Sequence, residues 1–435
     1  MKAVPGNPRV FFALALMLAT LVTGAAGAAV PRIQDLKLDP EKLAGIIRSR
    51  QLVLLYKEQP LQIKTEDGIE TLEERFVSSM AVIDAPLAQV RALLLDLESY
   101  SKFIPQTEKV EIRSRGDDRI VADFELEFEL PVVNVDIEYS LAYTLEPSGD
   151  ITFKLVEGEM RESLGRWELI PLSGDRTLAA YTYWSDLEGM GFMVRTALKV
   201  QPDLKMAIPV ASAAVVLDAV RRKAEGRPPK DKPPTSADKH PRIPELAGGQ
   251  IPLNTIQTLA RKGTILFIHP PQWIKGAKEP LELIFVSAGG IVRAPLQRTI
   301  ELSCSFSRYK EFFDQVVRVK TKEIPKGYIV FWKLELGFGV FAVPIHYVLK
   351  YHESTPTRLV FRRLKGDLQY IYGAWEWIPL NDEETLILYT NASELGEKAP
   401  AVLKLGNLVP NRQVTVGTSS AAVIVENQIP WIEKQ

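Results

Sequence analysis

Four histidines, His240, His269, His346 and His352, and one cysteine, Cys304, are all the imidazole and thiol in this chain. A lone cysteine excludes an internal disulfide framework, a CxxC redox pair and a multi-cysteine zinc site. Residues 30–224 hold neither His nor Cys, which excludes Ser-His-Asp or Cys-His nucleophilic catalysis and a histidine-ligated metal there. Glu159 and Glu162 could pair as acid and base, but they follow a turn glycine, Gly158, and are expected to face solvent. His346 is expected on the wet face of a strand, between Ile345 and Tyr347, and Cys304 as a small core residue of a helix. Arg161 and Arg363 sit near apolar strand ends, where each meets either water or a ligand carboxylate or phosphate. No phosphate loop, metal motif or nucleotide fingerprint is present, so no metal and no cofactor is expected.

What remains is a set of long aromatic and apolar side chains on alternating positions. In one half of the chain they are Phe124, Leu126, Phe128, Tyr139, Tyr143, Phe153 and Trp167. In the other they are Trp332, Leu334, Phe338, Tyr347, Tyr351, Phe361 and Trp375. Residues 123–130 alternate acidic with apolar, and 133–143 continue the pattern, so each strand has one wet and one buried face. On the buried face such side chains either fill a core or line an apolar pocket, where a tyrosine ring also offers a hydroxyl to a carbonyl or headgroup.

The two sets belong to an internal repeat. Ala85-Pro86-Leu87, Tyr100, Phe103 and Val110 recur at one offset as Ala294-Pro295-Leu296, Tyr309, Phe312 and Val319. After a one-residue slip, Ile137 and Tyr139 fall on Ile345 and Tyr347, Gly158 on Gly366, and Gly165-x-Trp167-Glu168-x-Ile170-Pro171-Leu172 on Gly373-x-Trp375-Glu376-x-Ile378-Pro379-Leu380. Pro202 and Ala213-Ala214-Val215 then fall on Pro410 and Ala421-Ala422-Val423. Each copy is expected to begin with a short helix and a strand at Leu52–Leu55 or Thr264–Phe267. In the first copy, a strand over 69–84, a helix opened by Ala85-Pro86, a short second helix, antiparallel strands and an amphipathic helix over Val210–Lys223 complete an α+β unit.

Ile83-Asp84-Ala85-Pro86-Leu87, continuing through Val90, Leu93, Asp96 and Tyr100 to Phe103-Ile104-Pro105, resembles the opening motif of the START-like helix-grip superfamily. The closest likeness is to its coenzyme-Q-binding and polyketide-cyclase-like branch. The second copy keeps Val292-Arg293-Ala294-Pro295-Leu296 and Tyr309-x-x-Phe312, but places Ser305 and Asp314 where the first has Asp96 and Pro105. The resemblance implies a curved antiparallel sheet wrapped around a long C-terminal helix, with an apolar cavity between them. Cyclase-like members of the superfamily act mainly by shaping a reactive chain within that cavity.

Composition sets the frame. The 435 residues are 46% hydrophobic and 25% charged with a formal net charge of −1, which argues against nucleic acid as a partner. The balance is a cancellation. Residues 30–224 carry 24 Lys+Arg against 33 Asp+Glu for −9, and residues 245–435 carry 22 against 18 for +4. These opposite signs suggest docking between the copies through complementary charge, or transient contact of the basic copy with an anionic membrane. Residues 1–28 read as a secretory signal peptide: Lys2 and Arg9, an apolar run from Val10, and Ala26-Gly27-Ala28 as the cleavage site. The expected organisation is 1–28 signal, 30–224 first START-like domain, 225–250 proline-rich linker and 251–435 second domain. The expected product is a soluble periplasmic or secreted carrier of a hydrophobic small molecule or lipid such as a quinone, isoprenoid or acyl lipid. A cyclase or aromatase and a filled, non-binding scaffold are the alternatives.

Overall fold

The computed structural model describes residues 29–65, 68–129, 134–247, 251–276, 279–338, 341–395 and 411–435; the expected signal peptide lies outside them. No helix among these residues is long and apolar enough to cross a membrane. In the first half the strands are β1 (Gln51–Tyr56), β2 (Gln59–Thr65), β3 (Gly68–Glu74), β4 (Val77–Ile83), β5 (Thr107–Arg115), β6 (Arg119–Glu129), β7 (Asn134–Leu145), β8 (Ile151–Gly158), β9 (Ser163–Leu172) and β10 (Arg176–Ser185). The second half contributes β11 (Gly263–Ile268), β12 (Gln272–Lys275), β13 (Pro280–Leu283), β14 (Val286–Val292), β15 (Val316–Ile324), β16 (Gly327–Phe338), β17 (Phe341–Thr355), β18 (Arg358–Gly366), β19 (Leu368–Pro379) and β20 (Thr385–Leu395). The helices are α1 (Pro40–Ile47), α2 (Leu87–Leu95), α3 (Phe192–Val200), α4 (Leu204–Ala224), α5 (Leu253–Lys262), α6 (Leu296–Ser303) and α7 (Arg412–Glu433).

The strand expected over 69–84 is two strands, because β3 ends at Glu74 and β4 opens at Val77. Residues 58–74, the antiparallel hairpin of β2 and β3, are part of a separate compact unit. Residues 30–57 and 75–435 pack as one unit that holds both copies. The terminal helix expected from Val210 starts earlier, at Leu204, and carries Pro209 within its first turns.

Among the described residues sixteen strands form one antiparallel sheet, ordered β15-β16-β17-β18-β19-β20-β14-β11-β1-β4-β10-β9-β8-β7-β6-β5. Its centre is the β1–β11 ladder, in which Leu52 faces Phe267 and Leu55 faces Thr264. Leu52 and Leu55 are the repeat equivalents of Thr264 and Phe267, so each pair recurs with its members exchanged. That is the signature of an isologous contact, here made within one chain. The long helices α4 and α7 pack against each other. Ala213, Ala214, Ala421 and Ala422 lie fully buried in one core cluster, together with Val53 of β1 and Leu266 of β11. Arg75 adds a bidentate pair to Glu426 of α7, at 2.7 Å on both nitrogens, while its Nε donates to the Tyr56 carbonyl. The acidic strands β6 and β7 lie toward the far end of the sheet from this seam, so backbone pairing and apolar helix packing, not the acidic ridge, join the copies.

The repeated motifs do the same work twice. A side chain at Gly165 or Gly373 would collide with the Phe153 or Phe361 ring, at 2.3 and 2.2 Å, so each glycine leaves room for a ring from the neighbouring strand. The Tyr100 and Tyr309 hydroxyls donate to the Leu94 and Ser303 carbonyls, both at 2.8 Å, pinning the 3-10 turn to the end of the preceding helix. Thr177 and Thr385 donate to the Ala85 and Ala294 carbonyls at 2.8 and 2.9 Å, which fastens the Ala-Pro motif to the sheet. Glu168 and Glu376, each 1% exposed, accept the backbone N–H of Ile33 at 2.7 Å and of Leu246 at 3.0 Å. Leu246, which the sequence places in the linker, therefore does for the second copy what Ile33 does for the first.

Candidate functional site

Inward-facing residues of the sheet meet the long helices. In the first copy Phe124, Tyr143, Phe153 and Trp167 are buried in one cluster with Val210, Ala213 and Leu217 of α4, and Tyr139 packs against it. The rings form a continuous series: Phe124 stacks on Tyr139 at 5.3 Å, Tyr143 meets Phe153 at 5.7 Å, and Trp167 lies over Tyr181 at 4.5 Å. Leu126 belongs elsewhere, packing with Ile137, Met160, Leu187 and Met190 in a smaller cluster. Phe128 and Phe338 sit on strands β6 and β16, but their side chains lie outside the described residues.

The second copy brings Trp332, Tyr351, Phe361 and Trp375 into its own buried cluster, with Leu334 and Tyr347 packed against it. Trp375 lies 4.5 Å from Tyr389, as Trp167 does from Tyr181. Tyr181, Tyr183 and Tyr389 belong to this face and are absent from the set inferred from sequence. The alternation Ala179, Tyr181, Tyr183 along β10 was the signal that could have found them.

Polar handles distinguish this face from a sealed core. Burial holds the phenols of Tyr139, Tyr143 and Tyr181 above their usual range, and neighbouring tyrosines add to the effect for Tyr143 and Tyr181. Tyr183 donates to the Pro209 carbonyl at 3.1 Å. The hydroxyls of Tyr139, Tyr143 and Tyr181 make no hydrogen bond among the described residues, and neither does that of Tyr347. A neutral phenol so placed donates to a carbonyl or ether oxygen and does not act as a base. In the second copy Arg363 takes the place of Leu155 and pairs across the ladder with buried Leu349. Its Nη2 donates to the Gly366 carbonyl at 2.8 Å, and its buried Nε has no partner.

The other candidates for chemistry are occupied otherwise. Glu162 is buried, correcting the expectation of exposure: it pairs with Lys154 at 3.0 Å and accepts the Ser163 N–H, whereas Glu159 is exposed. Arg161 bonds through Nε to the buried carboxylate of Asp186. Cys304 caps the end of α6, and burial pushes its thiol up to about 12, which leaves it un-ionised. His346 is exposed on the wet face, 3.3 Å from Asp367. His269 is buried beside the seam with Nε2 2.8 Å from the Ser287 hydroxyl, and burial followed by the Arg50 charge lowers it to about 3. Burial raises Glu168 and Glu376, an effect that the hydrogen bonds from Ile33 and Leu246 oppose.

Residues 83–226, within the first copy, match the family described as polyketide cyclase / dehydrase and lipid transport. Among solved structures, the di-domain aromatase/cyclase StfQ from the steffimycin biosynthetic pathway is similar over 82% of this chain and 98% of its own, at 12% identity and a TM-score of 0.26. A STAR-related lipid transfer protein of Xanthomonas axonopodis is similar over 38% of this chain and 98% of its own, at 17% identity and a TM-score of 0.29. An aromatase/cyclase from Streptomyces sp. R1128 is similar over 34% of this chain and 95% of its own, at 21% identity and a TM-score of 0.27. No curated protein matches this chain.

Proposed function

We propose that this protein binds and carries a hydrophobic small molecule or lipid, of the quinone, isoprenoid or acyl-lipid kind, between the sheet's inner face and the long helix of each copy. On this reading residues 30–224 and 251–435 are two helix-grip domains joined by 225–250, and 1–28 directs export to the periplasm or beyond. The supporting observation is the group of tyrosines on an otherwise apolar face, buried Tyr143 with half-buried Tyr139 and Tyr181, whose hydroxyls make no hydrogen bond among the described residues. Phenols left without a protein partner on an apolar face are free to donate to an acceptor, which an oxygen-bearing apolar ligand supplies. Arg363 gives the second copy a cation for a carboxylate or phosphate end.

Native mass spectrometry of the protein from its own source tests this. A co-purified apolar ligand, reduced in Tyr139→Trp and Tyr347→Trp variants that melt like the parent, supports carriage. Variants that fail to fold make these tyrosines core residues. The family description names cyclase chemistry beside lipid transport, so a turned-over product in place of an unchanged ligand would establish the enzyme reading. No ligand under mild extraction would favour a filled scaffold.

A further inference from the structure

Strands β15–β18 have an outward face left open among the described residues. A groove of about 680 Å³ opens there, with Ile329, Phe331, Val348 and Leu364 as its apolar part and Lys320, Lys322 and Lys365 at its sides. Leu364 is 45% exposed. Lys350 and Arg362 extend the same face, since they pair with each other across β17–β18 and Lys350 pairs with Ile329 across β16–β17. Lys320, Lys322, Lys350, Arg362 and Lys365 form no ion pair or side-chain hydrogen bond among the described residues. The nearby acids are engaged: Glu335 with Lys333 at 3.3 Å, and Asp367 with His346 at 3.3 Å.

The first copy supplies an internal control. Its matching groove, about 370 Å³, presents Glu111, Asp123, Glu138 and Glu157 around Arg113. Glu111, Glu125, Glu138 and Glu157 become Lys320, Lys333, His346 and Lys365 in the second copy, while Asp123 and Ser140 become Phe331 and Val348. Arg113 bonds to Asp123 at 2.9 Å, to Glu157 at 3.0 Å and to Ser140 at 3.0 Å, and Lys109 pairs with Glu111 at 2.8 Å, so this groove is knit by its own ion pairs and keeps an acidic excess. Lysines commonly guard an edge strand against pairing. That accounts for Lys320 and Lys322 on β15, which ends the sheet, but not for Lys350, Arg362 and Lys365 two and three strands inward.

We propose that the outward face of β15–β18 docks on a membrane surface bearing anionic headgroups. Unpaired cations around exposed Leu364 and half-buried Ile329, Phe331 and Val348 match the chemistry of such an interface, where headgroups take the charge and the acyl boundary takes Leu364 and the accessible part of Phe331. The acidic face of a second copy of this chain fits less well, because it would set Phe331 and Val348 against the Arg113 ion-pair network and strip that network of water. Such docking is independent of what the inner face holds.

Flotation of the protein from its own source with phosphatidylglycerol/phosphatidylcholine vesicles, against phosphatidylcholine alone, is the test, with sizing by light scattering alongside. Binding is expected only with phosphatidylglycerol and is expected to weaken as salt is raised. The triple change Lys320→Gln, Lys322→Gln, Lys365→Gln should lower partitioning by about a hundredfold, each cation near the surface being worth roughly fivefold. Glu125→Gln with Glu157→Gln should leave partitioning no weaker. Equal binding to both vesicles, binding that survives the triple change, or no binding at all would overturn the proposal. So would a parent oligomer that the triple variant loses, since the cations would then serve self-association. Because no ligand is added, an empty inner face does not affect the outcome.

Discussion

Inner and outer faces of the two copies have diverged to different degrees. Inward, Tyr139, Phe153, Trp167 and Tyr181 are matched by Tyr347, Phe361, Trp375 and Tyr389, with Phe124 exchanged for Trp332. Outward, at the same ladder positions, four glutamates have become three lysines and a histidine. The physical difference is packing. An inward side chain sits against a helix and neighbouring rings in a close-packed interior, where a change of one methylene is felt. An outward side chain meets water and costs little to exchange, so its charge is free to follow whatever the face meets. The exception inward is Arg363 for Leu155, the one inner position named here where the copies differ in charge.

The largest effect is expected at the seam between the copies. Leu54 and Leu266 are fully buried next to its centre, so Leu54→Ala or Leu266→Ala should each cost about 3 kcal/mol. Because the core is continuous across β1–β11, calorimetry should show one transition moving as a whole; a split into two transitions would show that the copies fold independently. Next in size, Glu168→Ala and Glu376→Ala should each cost about 2 kcal/mol by orphaning a buried N–H. Gln, which keeps an acceptor, should restore most of it, and hydrogen exchange at Ile33 and Leu246 reads the loss in each copy separately.

The two copies should also part in their response to acid. His269 has Lys57 at the matching position of the first copy. Its folded value lies below its unfolded one, dropping from 6.5 to about 3. The unfolded chain therefore binds the extra proton, and stability should fall as pH drops through that window by up to about 1.4 kcal/mol per pH unit. His269→Gln should flatten the slope in urea titrations at stepped pH. Glu168 and Glu376, raised in the fold, act with the opposite sign: their contribution is complete below the ordinary carboxylate range and is lost as pH rises through their folded values. Smallest of all, Tyr100→Phe and Tyr309→Phe should cost about 1 kcal/mol each by removing a bonded hydroxyl. Tyr139→Phe and Tyr181→Phe should be nearly neutral without ligand; a loss as large as that of Tyr100→Phe would mean their hydroxyls are already satisfied.

Much of this was legible because the chain states it twice. A duplicated Gly-x-Trp-Glu motif and alternation of period two identify strands and faces, and eleven of the fourteen positions singled out from sequence lie in the two aromatic clusters or, as Tyr139, Leu334 and Tyr347 do, against them. Leu126 was assigned to the right face but joins another cluster, since period two gives a side of the sheet and not a neighbour along it. Tyr181 escaped notice because β10 alternates around small Ala179, which weakens the pattern. Nothing local marks the motif glutamates as buried latches, because that role depends on Ile33 and Leu246 arriving from more than a hundred residues away.

Sequence alone determined the repeat, the family resemblance, the alternation of faces and the opposite charge of the copies, because each follows from local order and counting. Tertiary structure decided that the copies share one sheet through β1 and β11, which hydroxyls are left without partners, and which cations stand unpaired on the outer face. Those outcomes depend on register and on long-range pairing: a one-residue slip in either ladder would turn every one of these side chains to the other side.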